Sequence, residues 1–254
     1  METPVSSPDI DSRRRVARAG SLLARLTRRG TPAPAPAAPE KPRAFTPDTI
    51  VDPVMPEGGR PVADYERLLG FDRSELEGKT VLDLGAGPEL KFARELHDAG
   101  STAQVVSLSP DFADERHYTR ARRAHPEGVM STGTGNNLPF PDGIFDRVYA
   151  LRVMDHLPRD ETSFFGFLQE VGRVLADNGE ARLGPSNDII NRPILRSNEA
   201  FNQYCAQNGI TATIERNLDV PATIRVYNEF MNTREFEQPD AVVLRKHPPA
   251  PLAQ

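Results

Sequence analysis

Cysteine is almost missing from this chain: among 254 residues only Cys205 carries a thiol. That excludes an internal disulfide framework and any zinc or iron–sulfur site built from several thiolates. The fold must rest on its apolar core. Also missing is any run approaching the roughly 20 consecutive apolar residues needed to span a bilayer, and no apolar h-region of a secretory signal opens the sequence. The chain is expected to be soluble and cytoplasmic. His97, His117, His125 and His247 have no metal-ligand spacing with one another or with Cys205, so no metal is expected and these histidines are read as surface residues. Ser-His-Asp hydrolysis finds no support without a G-x-S-x-G elbow. Nor is there a phosphate-binding Walker loop, because Gly78-Lys79-Thr80 precedes the strand it would have to follow.

What is present suits one α/β domain of ordinary size with extra sequence at its ends. At 38% hydrophobic and 26% charged residues the composition is globular, but 24 prolines and a mean hydropathy of -0.50 indicate that part of the chain does not fold. Charge locates that part. Residues 1–45 hold nine Lys/Arg against four Asp/Glu, a net of +5, which leaves -10 for the rest of a chain whose total is -5.

In this basic arm, Arg13, Arg14, Arg15, Arg18, Arg25, Arg28 and Arg29 surround Val16, Ala19, Leu23 and Leu26, spaced along one helical stripe. Such a stripe could lie on anionic lipid, touch nucleic acid or pack on the body, and a solvated, mostly disordered arm is the plainer reading. Glu2, Asp9 and Asp11 argue against a mitochondrial transit peptide. A Pro/Ala tract follows Gly30 and reads as an extended linker. The expected division is a basic, flexible arm at 1–45, a linker at 46–60, a folded domain at 61–247 and a disordered tail at 248–254.

From about residue 60, short β-branched runs alternate with longer helical segments, the pattern of a mostly parallel sheet covered by helices. Strands are expected at Thr80–Leu84, Ala103–Leu108, Gly128–Ser131, Arg147–Leu151, Ala181–Gly184, Thr211–Arg216 and Ala241–Arg245. Helices are expected at Pro61–Leu69, Leu90–Ala99, Asp111–Ala124, Glu161–Ala176 and Ser197–Asn208. In the helix from Glu161, Phe164, Phe167, Leu168, Val171, Val174 and Leu175 recur at three- and four-residue intervals and read as core, with Gly179 closing it.

The strongest chemical signal is Val81-Leu82-Asp83-Leu84-Gly85-Ala86-Gly87-Pro88-Glu89, an apolar strand running into a glycine turn and then a helix. Gly85 and Gly87 let the backbone turn tightly at the carboxyl end of a first strand, where open α/β sheets bind ligands. A dinucleotide loop needs a third glycine where Leu90 stands, so a nicotinamide-dependent oxidoreductase is disfavoured.

This motif resembles that of the class I S-adenosylmethionine-dependent methyltransferases, in particular the type 11 group. Two further runs carry the likeness: Leu138-Pro139-Phe140-Pro141-Asp142-Gly143-Ile144-Phe145-Asp146-Arg147-Val148 before a fourth strand, and Gln169 to Gly179 before a fifth. The resemblance spans roughly residues 60–246 and implies a Rossmann-like, seven-stranded, mostly parallel sheet with helices on both faces, its last strand antiparallel. It also implies S-adenosyl-L-methionine as cofactor and methyl transfer to an acceptor that the sequence does not identify, with a small molecule as the expected class.

By the same resemblance, Asp83 sits near the methionine amino group, Gly85 and Gly87 form the turn beneath the cofactor, and Ala86, Thr134, Asn136 and Leu151 complete its surroundings. Asp83 can alternatively cap or order the loop. The family's acidic residue at the end of the second strand is replaced by serine at either alignment of Val105 to Pro110. Ser109 is the preferred equivalent, and a hydroxyl in place of a carboxylate weakens the ribose contact by about 1–2 kcal/mol. Asp111 could compensate from the loop. Thr134 stands in place of a frequent aspartate, and Glu89 in place of a third glycine.

Methyl transfer needs in-line alignment more than acid–base machinery, since the sulfonium is an activated donor. A base is needed only when the acceptor must lose a proton. His156 is the titratable residue suited to that task, or else it shapes the pocket, and Asp155 could tune it or cap the next segment. Substrate specificity is expected in Asn187–Ser197 and Asn217–Thr233, which contain Asn191, Arg192, Arg225 and Tyr227. The competing reading is a catalytically degenerate, methyltransferase-fold binding or scaffold protein.

Overall fold

The protein is described from a computed structural model at residues 59–157, 160–184, 198–216, 223–228, 231–237 and 240–248. The chain divides into two units, Met1–Arg43 and Ala44–Gln254, and all described residues belong to the second. The readings made for the basic arm, and for Asn191 and Arg192, lie outside the described residues.

The chain runs α1 (Val62–Leu69), β1 (Thr80–Leu84), α2 (Lys91–Asp98), β2 (Gln104–Leu108), α3 (Glu115–Ala124), β3 (Val129–Ser131) and β4 (Phe145–Leu151). It continues through α4 (Glu161–Val174), β5 (Leu175–Gly184), α5 (Glu199–Gln207), β6 (Ile210–Arg216), β7 (Thr223–Asn228), β8 (Met231–Glu237) and β9 (Asp240–Lys246). Seven strands form one sheet in the order β3-β2-β1-β4-β5-β9-β6, and β7 and β8 form a separate hairpin. β9 is antiparallel to both its neighbours, whereas β1 to β5 pair in parallel. This is the Rossmann-like, mostly parallel sheet with an antiparallel last strand that the sequence motifs imply.

Strand order reverses at β1: successive strands step outward through β2 and β3 on one side and through β4 and β5 on the other. Right-handed crossovers in opposite directions place their helices on opposite faces. α1 and α2 accordingly cover one face, where Tyr65, Leu68, Phe92, Leu96 and Tyr149 share a buried cluster. Phe167, Leu168 and Val171 of α4 are fully buried on the other side, as their periodicity predicts. The same reversal lies at the carboxyl ends of β1 and β4, the general ligand position of open α/β sheets.

Local chemistry sets the boundaries. Gly70 ends α1 at φ 72. Asp114, Asp160 and Asn198 cap α3, α4 and α5 by accepting backbone N–H bonds in the first turn. The start of α1 has no local cap, and Glu95 of α2 reaches across to accept from Val62 N at 2.8 Å.

Four expectations are corrected. The segment expected as a helix from Asp111 opens with a separate 3-10 turn, Pro110–Ala113, because the Ser109 hydroxyl caps it by accepting from Asp111 N and Asp114 starts α3 anew. α4 ends at Val174 rather than Ala176, because Leu175 already pairs with Phe145. β5 therefore begins earlier than predicted and makes an excursion before pairing resumes at Glu180. The β7–β8 hairpin lies in a segment read from sequence as a plain connection. Finally, His125 is buried, its ring 5.2 Å from that of His97.

Candidate functional site

Asp83 is the fourth residue of β1, and strand alternation turns it toward the α1 side of the sheet. In register it lies between Ser107 of β2 and Tyr149 of β4. It is fully buried. The Tyr65 hydroxyl of α1 donates to Asp83 Oδ1 at 2.8 Å, and Tyr65 is itself held by a stacked Phe92 ring 4.4 Å away. Oδ2 has no hydrogen-bond partner, and neither do the buried Ser107 Oγ and Tyr149 hydroxyl beside it. Burial pushes the Asp83 carboxyl up to about 7, partly opposed by the Tyr65 hydrogen bond.

A carboxylate removed from water without a cation is costly, and this one keeps an oxygen uncommitted. That donor set fits a cationic amine. It does not fit a phosphate, which would face a like charge.

The turn after β1 is built by left-handed backbone at Gly85 (φ 75), Gly87 (φ 67) and Leu90 (φ 52). The Gly85 and Ala86 amides both donate to Leu108 O, at 2.8 and 3.2 Å, so those two N–H groups are committed to β2. A Cβ on Gly85 would stand 2.6 Å from Val153 Cγ2, and one on Gly87 would stand 3.3 Å from the Gly59 Cα. The bare backbone therefore serves close packing: Val153 of the post-β4 loop and Gly59 before α1 both close on the turn.

Of the residues implied for the cofactor, Asp83, Gly85, Ala86, Gly87 and Ser109 are brought together at the carboxyl ends of β1 and β2. Leu151, at the end of β4, is buried in the cluster that also contains Tyr65 and Phe92. Ser109 is buried, and its Oγ accepts from Asp111 N at 3.2 Å as the cap of the 3-10 turn, so the hydroxyl already has a structural task. Thr134 and Asn136 are exposed in the β3–β4 connection, where Thr134 and Asn137 form an isolated bridge.

That connection is pinned from below. Arg173 of α4 donates to Phe140 O at 2.8 Å and Leu138 O at 3.0 Å, and Glu170 accepts from Leu138 N at 2.9 Å. His156 ends a 3-10 turn after β4 with its side chain exposed. Glu89, where a third glycine would stand, is clasped by Arg120 of α3 through Nε at 3.1 Å and Nη2 at 2.8 Å. Glu89 and Arg120 also line a groove of about 590 Å³ with Arg94, Arg116 and Arg123; that groove does not include Asp83, Ser107 or Ser109.

Residues 82–183 match the methyltransferase domain family. This segment carries a methyltransferase domain. A sterol 24-C-methyltransferase of Eremothecium gossypii is 31% identical over 124 residues, covering 46% of this chain and 31% of the relative. The methyltransferase GfsG of Streptomyces halstedii is 29% identical over 155 residues, covering 59% of this chain and 51% of the relative. The chain thus spans from under a third to about half the length of these curated relatives. Among solved structures, the N-methyltransferase NodS from Bradyrhizobium japonicum is 16% identical with a TM-score of 0.46, covering 74% of this chain and 94% of NodS.

Around Asp83, sequence reasoning missed Tyr65, Ser107 and Tyr149 as parts of the polar cluster. Alternation along β2 could have put Ser107 on the Asp83 face, but nothing local links Tyr65 to a carboxylate 18 residues away. The Ser-Pro-Asp run did carry a signal for Ser109 as a cap, with proline at the first helical position. Among the described residues no group of three or more His, Cys, Asp or Glu could hold a metal ion, and no helix is long and apolar enough to cross a membrane.

Proposed function

We propose that the chain binds S-adenosyl-L-methionine across the carboxyl ends of β1, β2 and β4 and supports methyl transfer to a small-molecule acceptor. The cofactor supplies a methyl group already activated on a sulfonium, which leaves the protein with binding and alignment. The observation that carries this reading is the unpartnered Oδ2 of the buried Asp83, next to the glycine turn at the switch point of the sheet. Asp83 receives the ligand's ammonium. The 85–87 turn and Val153 shape the space above β1, and the Arg173 clamp steadies the loop that carries Thr134 and Asn136.

Asp83 is sealed from solvent, so direct contact requires the cover over the turn to give, whereas the Coulombic attraction acts over about 4–6 Å without contact. His156, exposed after β4, is assigned to the acceptor side as the base when the acceptor must lose a proton. A small-molecule acceptor agrees with a relative named for a sterol.

One observation favours a different reading, a binding protein of the same fold without catalysis: neither Ser107 nor Ser109 supplies a carboxylate to a ribose diol, and the Ser109 hydroxyl is already engaged. Calorimetric titration with S-adenosylmethionine and S-adenosylhomocysteine decides the first point. Binding of both at micromolar to low-millimolar concentration is expected, and no heat at millimolar ligand removes the enzymatic reading.

A further inference from the structure

Resting on the proposed cofactor reading, we infer that ligand capture exchanges a proton at Asp83 for the ligand's ammonium group, and that Tyr65 is the positioning residue that sets the pH of this exchange.

The geometry leaves the carboxyl no other counter-charge among the described residues. It is fully buried, one oxygen is occupied by a neutral hydroxyl and the other by nothing. The neighbours on every packed element are neutral: Ser107 on β2 and Tyr149 on β4 are its register partners, and Tyr65 on α1, backed by Phe92 of α2, is its hydrogen-bond donor.

The nearest charged groups act on Tyr65 rather than on Asp83. They are Arg60 and Asp64, themselves paired at 3.5 Å, and Lys91 of α2 acts in turn on Asp64. Glu95 of α2 is committed to the Val62 amide. Burial thus works unopposed by any cation, and the acid stays protonated up to near-neutral pH. An ammonium arriving within about 4–6 Å makes the ionised form the stable one, so the proton leaves to buffer as the ligand enters.

Tyr65 acts through Asp83. Its O–H bond favours the carboxylate over the acid and holds Oδ1, so that the ionised group keeps Oδ2 for the ligand. Raised well above the ordinary phenol range by burial, Tyr65 stays a donor throughout. Removing that donor therefore shifts the exchange to higher pH instead of weakening binding equally at every pH.

The test uses the full chain and calorimetry between pH 5.5 and 8.0, each pH in two buffers of unlike ionisation enthalpy. One ligand is S-adenosylhomocysteine. The other is 5′-methylthioadenosine, which has the same nucleoside thioether but no ammonium. The association constant for S-adenosylhomocysteine is expected to rise about ten-fold per pH unit up to neutrality and then level off, with up to one proton released per ligand at the acidic end. Methylthioadenosine is expected to bind with a flat profile and no proton release.

Asp83→Asn should flatten the first profile, and Tyr65→Phe should move its break to higher pH while the plateau is approached from below. Parallel profiles for the two ligands in the unsubstituted protein overturn the inference and leave the cofactor reading standing. An equal loss at every pH in Tyr65→Phe removes the positioning role. Failure of both ligands to bind at any pH overturns the cofactor reading and this inference together.

Discussion

A methyl group added at Gly85 meets two obstacles that can be separated. Its φ of 75 lies in the left-handed region, and its Cβ would come within 2.6 Å of Val153 Cγ2, a β-branched side chain with little freedom to turn away. Gly78 supplies the control, since its φ is 68 and a Cβ there meets nothing within 4 Å. Backbone strain of about 1 kcal/mol is therefore expected for Gly78→Ala, and overpacking should add about 1–3 kcal/mol for Gly85→Ala. Thermal unfolding of both variants, each alone and combined with Val153→Ala, checks this. The shortened residue 153 should recover part of the loss at position 85 and nothing at position 78. Recovery at neither position would mean that the turn is fixed by its left-handed backbone alone.

The elements that were legible in the sequence are those whose burial follows a single period. β1 reads correctly from Thr80 to Leu84 because every residue from Val81 onward is buried, and α4 reads correctly at its apolar face because Phe164, Phe167, Leu168 and Val171 are spaced for one stripe. The misread boundaries occur where a long-range partner decides. Leu175 leaves the helix to pair with Phe145, and β7 and β8 pair with each other in a stretch whose polar residues mask any alternation.

The candidate site divides in the same way. Asp83 and the glycine turn were visible as a local motif, but the Tyr65 contact belongs to the packing of α1 and could not be read locally. Arg173 is another tertiary device of this kind. Its guanidinium joins Glu170, Asp142 and two carbonyls of the 138–142 loop, and these contacts hold Arg173 above its ordinary range and the Glu170 carboxyl below its own.

A lysine retains the charge but not the planar fork, so Arg173→Lys should cost about 1–2 kcal/mol, close to the cost of Arg173→Met. Amide exchange between residues 133 and 142 should quicken in both variants while β1 stays protected. If lysine matches arginine in stability and exchange, charge alone holds the loop and the fork does not matter.

For the whole chain, charge is divided more sharply than composition suggests, with +5 in residues 1–45 and -10 beyond. Guanidinium groups at that density attract polyanions over the distance that salt permits, about 10 Å at 0.1 M. We propose that retention on a heparin or anionic-lipid support at low salt depends on residues 1–45. Deleting them should abolish retention and leave S-adenosylhomocysteine affinity unchanged, whereas unchanged retention would assign the interaction to the folded body, where Arg94, Arg116 and Arg123 line the α2–α3 groove.

Stability of the entire domain should also carry the mark of Asp83, the one buried acid among the described residues. The Asp83 carboxyl is raised from its ordinary value near 3.8 to about 7 in the folded protein, so the native state binds its proton more tightly than the unfolded chain does. The favourable contribution of the protonated group is complete below about pH 4 and is lost as pH rises through about 7, a swing of at most about 4 kcal/mol. Glu170 and Glu215 run the other way. Their carboxyls are lowered mainly by hydrogen bonds from Arg173 and Arg245, so they contribute above about pH 4.5 and fail in acid.

The sum of these opposing terms hides the Asp83 effect in the unsubstituted protein, but the difference from Asp83→Asn isolates it. An uncharged isostere should raise the melting temperature little at pH 5 and clearly at pH 8, and saturating S-adenosylhomocysteine should reverse the order at pH 8 by stabilising the protein that keeps the acid more than the variant. An equal increment at both pH values would mean that Asp83 carries the same charge throughout. In that case a cation arriving at this position would displace no proton between pH 5 and pH 8.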